Sequence, residues 1–131
     1  MSYSVDLEDE YLAGKNETAA RGAAECINRN GWAKHHMKAE AVERPLPPEQ
    51  PSWFVDLIEF AGCSWNSEAA DELWSALAPH LADDSYLEFR GESADRWRVR
   101  WEGGRVYEEF IQAITWKVAH EILPPQEGVT P

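Results

Sequence analysis

Three features of the chain predict an α+β fold, a mostly antiparallel sheet made of an N-terminal strand and a C-terminal β-meander, with two to three helices on one face. The first is alternation. Arg96, Arg98 and Arg100 interleave with Trp97, Val99 and Trp101, a period of two that sends guanidiniums to one face and apolar mass to the other. The second is turn chemistry, because Gly91-Glu92-Ser93-Ala94 and Gly103-Gly104 break residues 85–118 into strands short enough to pair directly. The third is a pair of helical stripes, over about residues 17–29 and 67–78.

Taken in order, Tyr3, Val5 and Leu7 alternate with Ser4, Asp6 and Glu8, the pattern of a strand with one buried face across residues 2–12. Asn16 then suits a helix N-cap, with Glu17 in the first turn where the helix dipole favours negative charge. Ala19, Ala20, Ala23, Ala24 and Ile27 give that helix a small-residue face that can lie close to a sheet, and Gly31 is placed to end it. Trp32 is a candidate to fill the space beside it. Residues 32–44 read as a short strand or loop and carry a local basic patch of Lys34, His35, His36, Lys38 and Arg44. Pro45, Pro47, Pro48 and Pro51 stiffen the connector that follows.

Phe54, Leu57, Ile58 and Ala61 recur at helical spacing after Ser52, so residues 52–61 are expected to be helical, with a buried strand as the alternative because Trp53 and Phe60 make the segment apolar nearly all round. Cys63-Ser64-Trp65 is short enough to add an edge to the sheet. Ala70, Leu73, Trp74, Leu77 and Leu81 form the clearest helical stripe, capped by Asn66 or Ser67 and stopped near Ala78 by Pro79. Residues 105–118 fit both periods, and the β-branched density of Ile114-Thr115-Trp116-Lys117-Val118 favours a strand. Residues 1–123 are expected to form one domain and residues 124–131 a loose tail.

The meander's register follows from its turns. A two-residue turn at Gly103-Gly104 sets Trp101 opposite Val106, Arg100 opposite Tyr107 and Arg98 opposite Glu109. Pairing Phe89 with Trp97 sets Glu88 opposite Arg98 and Tyr86 opposite Arg100. Arg98 then lies between Glu88 and Glu109, and Arg100 between two tyrosine rings. Arg96 and Arg105 are left freer. The same register puts Glu108 opposite Val99 on the apolar face, where an unpaired carboxylate is costly, so a bulge near Tyr107 or a partner for Glu108 is expected.

Composition restricts function more than motifs do. The formal net charge of −12 argues against direct nucleic-acid binding, since Lys and Arg supply most of such affinity. No apolar run approaches the roughly 20 residues of a membrane helix. The first residues carry Asp6, Glu8, Asp9 and Glu10 and no basic apolar leader, which points to a cytoplasmic protein without signal peptide or anchor. Cys26 and Cys63 are expected to be buried free thiols. His35 and His36 diverge on either a strand or a helix and do not converge on one metal ion with Glu40, while His80 and His120 are isolated. There is no catalytic or cofactor motif, so the protein is not expected to be an enzyme.

Residues 67–118, in the order apolar helix, Ala-Pro turn, Ser-Tyr-Leu-Glu-Phe-Arg-Gly-Glu, Trp-Arg-Val-Arg-Trp, Gly hairpin and Ile-Thr-Trp, resemble small domain-of-unknown-function proteins of actinobacteria and their phages. The resemblance implies a strand over residues 105–118 and a phage or mobile-element origin, and it implies no activity.

From Pro45 to Asp84 the chain has no Lys or Arg. Of the carboxylates there, Asp56, Glu59, Glu68, Asp71, Glu72, Asp83 and Asp84 are the candidate surface for a basic protein partner such as a nuclease or a DNA-binding protein, alongside the simpler role of keeping the protein soluble. A second reading is a small enzyme on the polar face of the meander, with Tyr86, Glu88, Arg98, Arg100, Tyr107 and Glu109; a solvated, salt-bridged face is the simpler account of those residues. A third is an oligomerising module that uses the same face.

Overall fold

The computed structural model describes residues 3–44, 47 and 52–110. In chain order these form β1 (Val5–Tyr11), α1 (Glu17–Arg29), a 3-10 turn (Ala33–His35), β2 (Met37–Glu43), β3 (Trp53–Phe60), α2 (Ser67–Leu77), β4 (Ser85–Gly91), β5 (Arg96–Glu102) and β6 (Arg105–Phe110). The fold is α+β and its strand pairs are antiparallel. Residues 111–118, where strand and helix compete in the sequence, and the expected tail at 124–131 lie outside the described residues.

Both helices begin where their Asn residues direct. The Asn16 side chain accepts from the Ala19 amide at 2.8 Å, and that of Asn66 from the Ala69 amide at 3.0 Å. α1 ends at Asn30 rather than through Gly31: the Asn30 amide closes the last turn, and its side-chain oxygen accepts from Trp32 and Ala33, starting the 3-10 turn. The hairpin at Gly103 and Gly104 has φ of 61° and 76°, the left-handed pair that a two-residue turn requires.

Hydrogen bonding orders β1-β4-β5-β6 in one sheet and pairs β2 with β3. Antiparallel bridges Val5 to Gly62 and Ala13 to Phe54 join β1 to β3 at both ends in a single register. The strands therefore run β2-β3-β1-β4, the split βαββαβ arrangement, with β5 and β6 added beyond β4. Between the two bridges β1 and β3 part. Each is bulged there, with Glu8 the extra residue on β1 and Ile58 the extra residue on β3. The Glu10 carboxylate reaches into the gap and accepts the Leu57 amide at 3.0 Å, and burial pushes its pKa up.

The helix expected over residues 52–61 is thus corrected to strand β3. Val55, Leu57 and, past the extra residue Ile58, Phe60 join the core, while Ile58 itself is exposed, so the apolar positions 54, 57, 58 and 61 imitate a helical stripe without sharing one face of the strand. The meander has the expected register on both sides. No bulge interrupts β6, and Glu108 pairs with Val99 in the ladder. Nor is Arg96 free, since it reaches Glu8 at 3.2 Å from the neighbouring sheet face. The thiols are unpaired but not buried: Cys26 is half-buried and Cys63 exposed.

The core lies between the sheet and the two helices. α1 lays Ala20, Ala23, Ala24 and Ile27 over β2 and β3, and α2 lays Leu73, Trp74 and Leu77 over Leu87, Phe89, Val99 and Trp101. The Trp101 indole donates to the Trp74 carbonyl at 2.9 Å, tying β5 to the helix. Two helices, each about 10 Å across, cannot cover six strands spaced about 4.8 Å apart. Among the described residues the shortfall falls on β6, whose inner face they leave partly open beside α2. Among the described residues no helix is long and apolar enough to cross a membrane.

Candidate functional site

The inner face of β6 becomes one wall of a pocket. Ser67, Ala70, Asp71 and Trp74 recur on one side of α2 and form the opposite wall. Tyr3, Trp65, Asp95, Trp97, Val99, Glu108 and Phe110 complete a cavity of about 360 Å³. A smaller continuation of about 240 Å³ runs along α2 past Ser75, Val106 and Tyr107. Together they make a groove with one larger end.

The larger end is aromatic because of one residue. Phe89, 1% exposed, has the rings of Trp65, Trp97 and Trp74 at 5.6, 5.7 and 5.9 Å from its own. Three indoles are therefore splayed around a single buried phenyl ring. Tyr3 closes the side: its carbonyl accepts from the Trp65 amide at 2.9 Å, and its hydroxyl donates to Asp95 at 2.7 Å. Gly91 makes room for this, since a Cβ there would overlap the Tyr3 hydroxyl. The hydrogen bond to Asp95 holds the Tyr3 phenol protonated, its pKa pushed up to about 12.

Charge is distributed by depth. Trp74 is buried and Tyr3, Trp65 and Trp97 are half-buried, whereas Asp71, Asp95 and Glu108 are exposed. The carboxylates thus form a rim around aromatic walls. Burial and then the nearby Asp71 raise the pKa of Glu108. Among the described residues, neither Asp71 nor Glu108 has a hydrogen-bond or ion-pair partner. No three His, Cys, Asp or Glu side chains among the described residues converge closely enough to hold a metal ion. The arrangement suits an organic cation.

The residues singled out in the sequence are scattered differently. Of the acidic set, Asp71 is on the pocket rim, and Glu68 and Glu72 are exposed on the same helix. Asp56 is on β3, paired with Arg44 at 2.7 Å, and Glu59 faces Lys38 across the β2–β3 ladder. Asp83 accepts the Gly103 amide at 2.7 Å, and Asp84 takes a turn φ of 72°. The acidic stretch is therefore not one surface.

Most of the polar set is brought together on the outer sheet face, where Glu88, Arg98 and Glu109 line a cavity of about 430 Å³ that shares Trp97 and Phe110 with the first, and Tyr107 borders the groove. Arg98 and Arg100 share the Glu109 carboxylate, at 2.6 and 3.0 Å, and Arg100 also reaches Glu102. Glu109 is held below the usual carboxylate range by Arg100 and then Arg98. Arg100 lies over the Tyr107 ring at 5.3 Å, but Tyr86 stacks on Tyr11 and donates to Asp9. Of the expected neighbours of Arg98, Glu109 accepts its hydrogen bond; Glu88 is opposite in the ladder. These charges neutralise one another, leaving little reactivity directed at a ligand.

The pocket draws on five separated parts of the chain, so no local spacing announces it. Tyr3 and Trp97 read as core residues, and Asp95 is not singled out by the sequence. Two rim residues carry a signal: Asp71 as a member of the acidic set, and Glu108 as a carboxylate on the wrong face of its strand. No protein-family model matches the chain, no curated protein matches its sequence, and no solved structure matches its fold.

Proposed function

We propose that the protein is an acidic binding protein that receives a cationic side chain of a basic protein partner in the pocket between α2 and β6. The observation that carries this reading is the pair Asp71 and Glu108, without an ion-pair partner among the described residues, at the mouth of an aromatic pocket in a chain of net charge −12. A cation entering there relieves the repulsion between the two carboxylates and meets ring faces, each contact worth about 0.5–2 kcal/mol. The groove past Val106 and Tyr107 has room for the chain that carries the side chain. The resemblance of residues 67–118 to phage and actinobacterial proteins is in keeping with an accessory or inhibitory role toward a basic host protein.

The test is titration of a panel of Lys- and Arg-containing peptides, read by tryptophan fluorescence because three indoles surround the site. Binding should weaken steeply with added salt and fall at least about ten-fold in Asp71→Lys and in Glu108→Lys. Affinity indifferent to salt and to both reversals would overturn the proposal.

A further inference from the structure

Resting on that reading, we infer that the preferred ligand of the pocket is an N-methylated lysine side chain of the basic partner, rather than an unmodified lysine or an arginine. The argument turns on what the inner walls can accept. A primary ammonium has three N–H donors and a guanidinium five, and each needs an acceptor once water is displaced. The inner walls offer the rings of Tyr3, Trp65, Trp74 and Trp97 with Ala70 and Val99. The Tyr3 hydroxyl donates to Asp95 and retains only its oxygen lone pairs to accept with, and indole N–H groups donate only.

Side-chain acceptors are therefore sparse, the Tyr3 oxygen on the walls and Ser67, Asp71, Asp95 and Glu108 on the exposed rim, which can attract a cation without reaching every hydrogen on it. A methylated ammonium needs no such acceptors. It spreads its charge over methyl groups that pack on ring faces, and it sheds its hydration at lower cost. Phe89 contributes stiffness, since three ring contacts of 5.6–5.9 Å hold the indoles in place before any ligand arrives.

The experiment compares one basic peptide in three forms, with lysine, trimethyl-lysine or arginine at a central position, against the full chain and against Trp97→Ala and Trp97→Phe. Tetramethylammonium chloride serves as competitor, with sodium chloride at equal ionic strength as control. The trimethyl-lysine peptide should bind at least about five-fold tighter than the other two. Trp97→Ala should abolish that preference while Trp97→Phe retains part of it, and tetramethylammonium should compete beyond the salt control. Equal binding of the three peptides, with salt dependence intact, would overturn this inference and leave the basic-partner reading standing. Failure of every peptide to bind would overturn both. Free choline binding as tightly as the methylated peptide would overturn the assignment to a protein side chain.

Discussion

Glu108 shows what one misplaced carboxylate does to the molecule. Its strand register puts it on the inner face opposite Val99, where burial and Asp71 both penalise its charge. Its pKa in the folded protein is therefore above the unfolded value, and the native state holds that proton more tightly. Stability is lost as pH rises from the usual carboxylate range through the raised value. Glu108→Gln removes this term. Thermal denaturation should show the variant close to the parent near pH 4 and more stable than it at pH 7, while its affinity for cationic peptides falls. A variant less stable than the parent at pH 7 would mean that Glu108 has a favourable partner.

At the scale of elements, α2 is the part on which both core and pocket depend, and its start is held by the hydrogen bond from the Ala69 amide to Asn66. Asn66→Ala should cost about 0.5–2 kcal/mol in denaturant unfolding. It should also weaken peptide binding, because Ser67, Ala70 and Asp71 lie in the first turns of that helix. Asn66→Asp, which retains the cap, should retain both.

The elements also show why some of the fold is legible in the sequence and some is not. The meander could be read to the level of residue pairs because the Gly103-Gly104 turn pins its register and its alternation is unbroken. β3 was misread because a bulge is a change of phase, and a period broken at Ile58 imitates the wrong period. The split between β1 and β3, and the pocket, depend on which strands become neighbours. Tyr3, Trp65, Trp97 and Glu108 meet only after the topology has been laid down, and no spacing along the chain encodes that.

Across the whole molecule, charge acts on stability and on binding in opposite senses. With a net charge of −12, self-repulsion opposes the compact state, and the largely exposed ion pairs of the outer face return little. Raising sodium chloride from about 20 to about 300 mM, which shortens the screening length several-fold, should therefore raise the melting temperature while it lowers affinity for a basic peptide. A melting temperature that fell with salt would show that the outer-face ion pairs outweigh the repulsion.

The seam between β1 and β3 divides the sheet but not the packing. On one side are α1, β2 and β3; on the other, β4, β5, β6, α2 and the segments before β1 and β5 supply the walls of the pocket apart from Trp65, which is tied to Tyr3 by a main-chain hydrogen bond. Few ladder bonds cross between them, and Glu10 fills the middle of the joint with a single side chain. The rings cross where the ladder does not: Trp32 and Phe60 lie 4.8 and 5.6 Å from the Trp65 ring, and Phe60 lies 6.1 Å from Phe89. Substitutions at Trp32 or Phe60 are therefore transmitted to the pocket from the far side of the seam, through aromatic packing and not through the sheet.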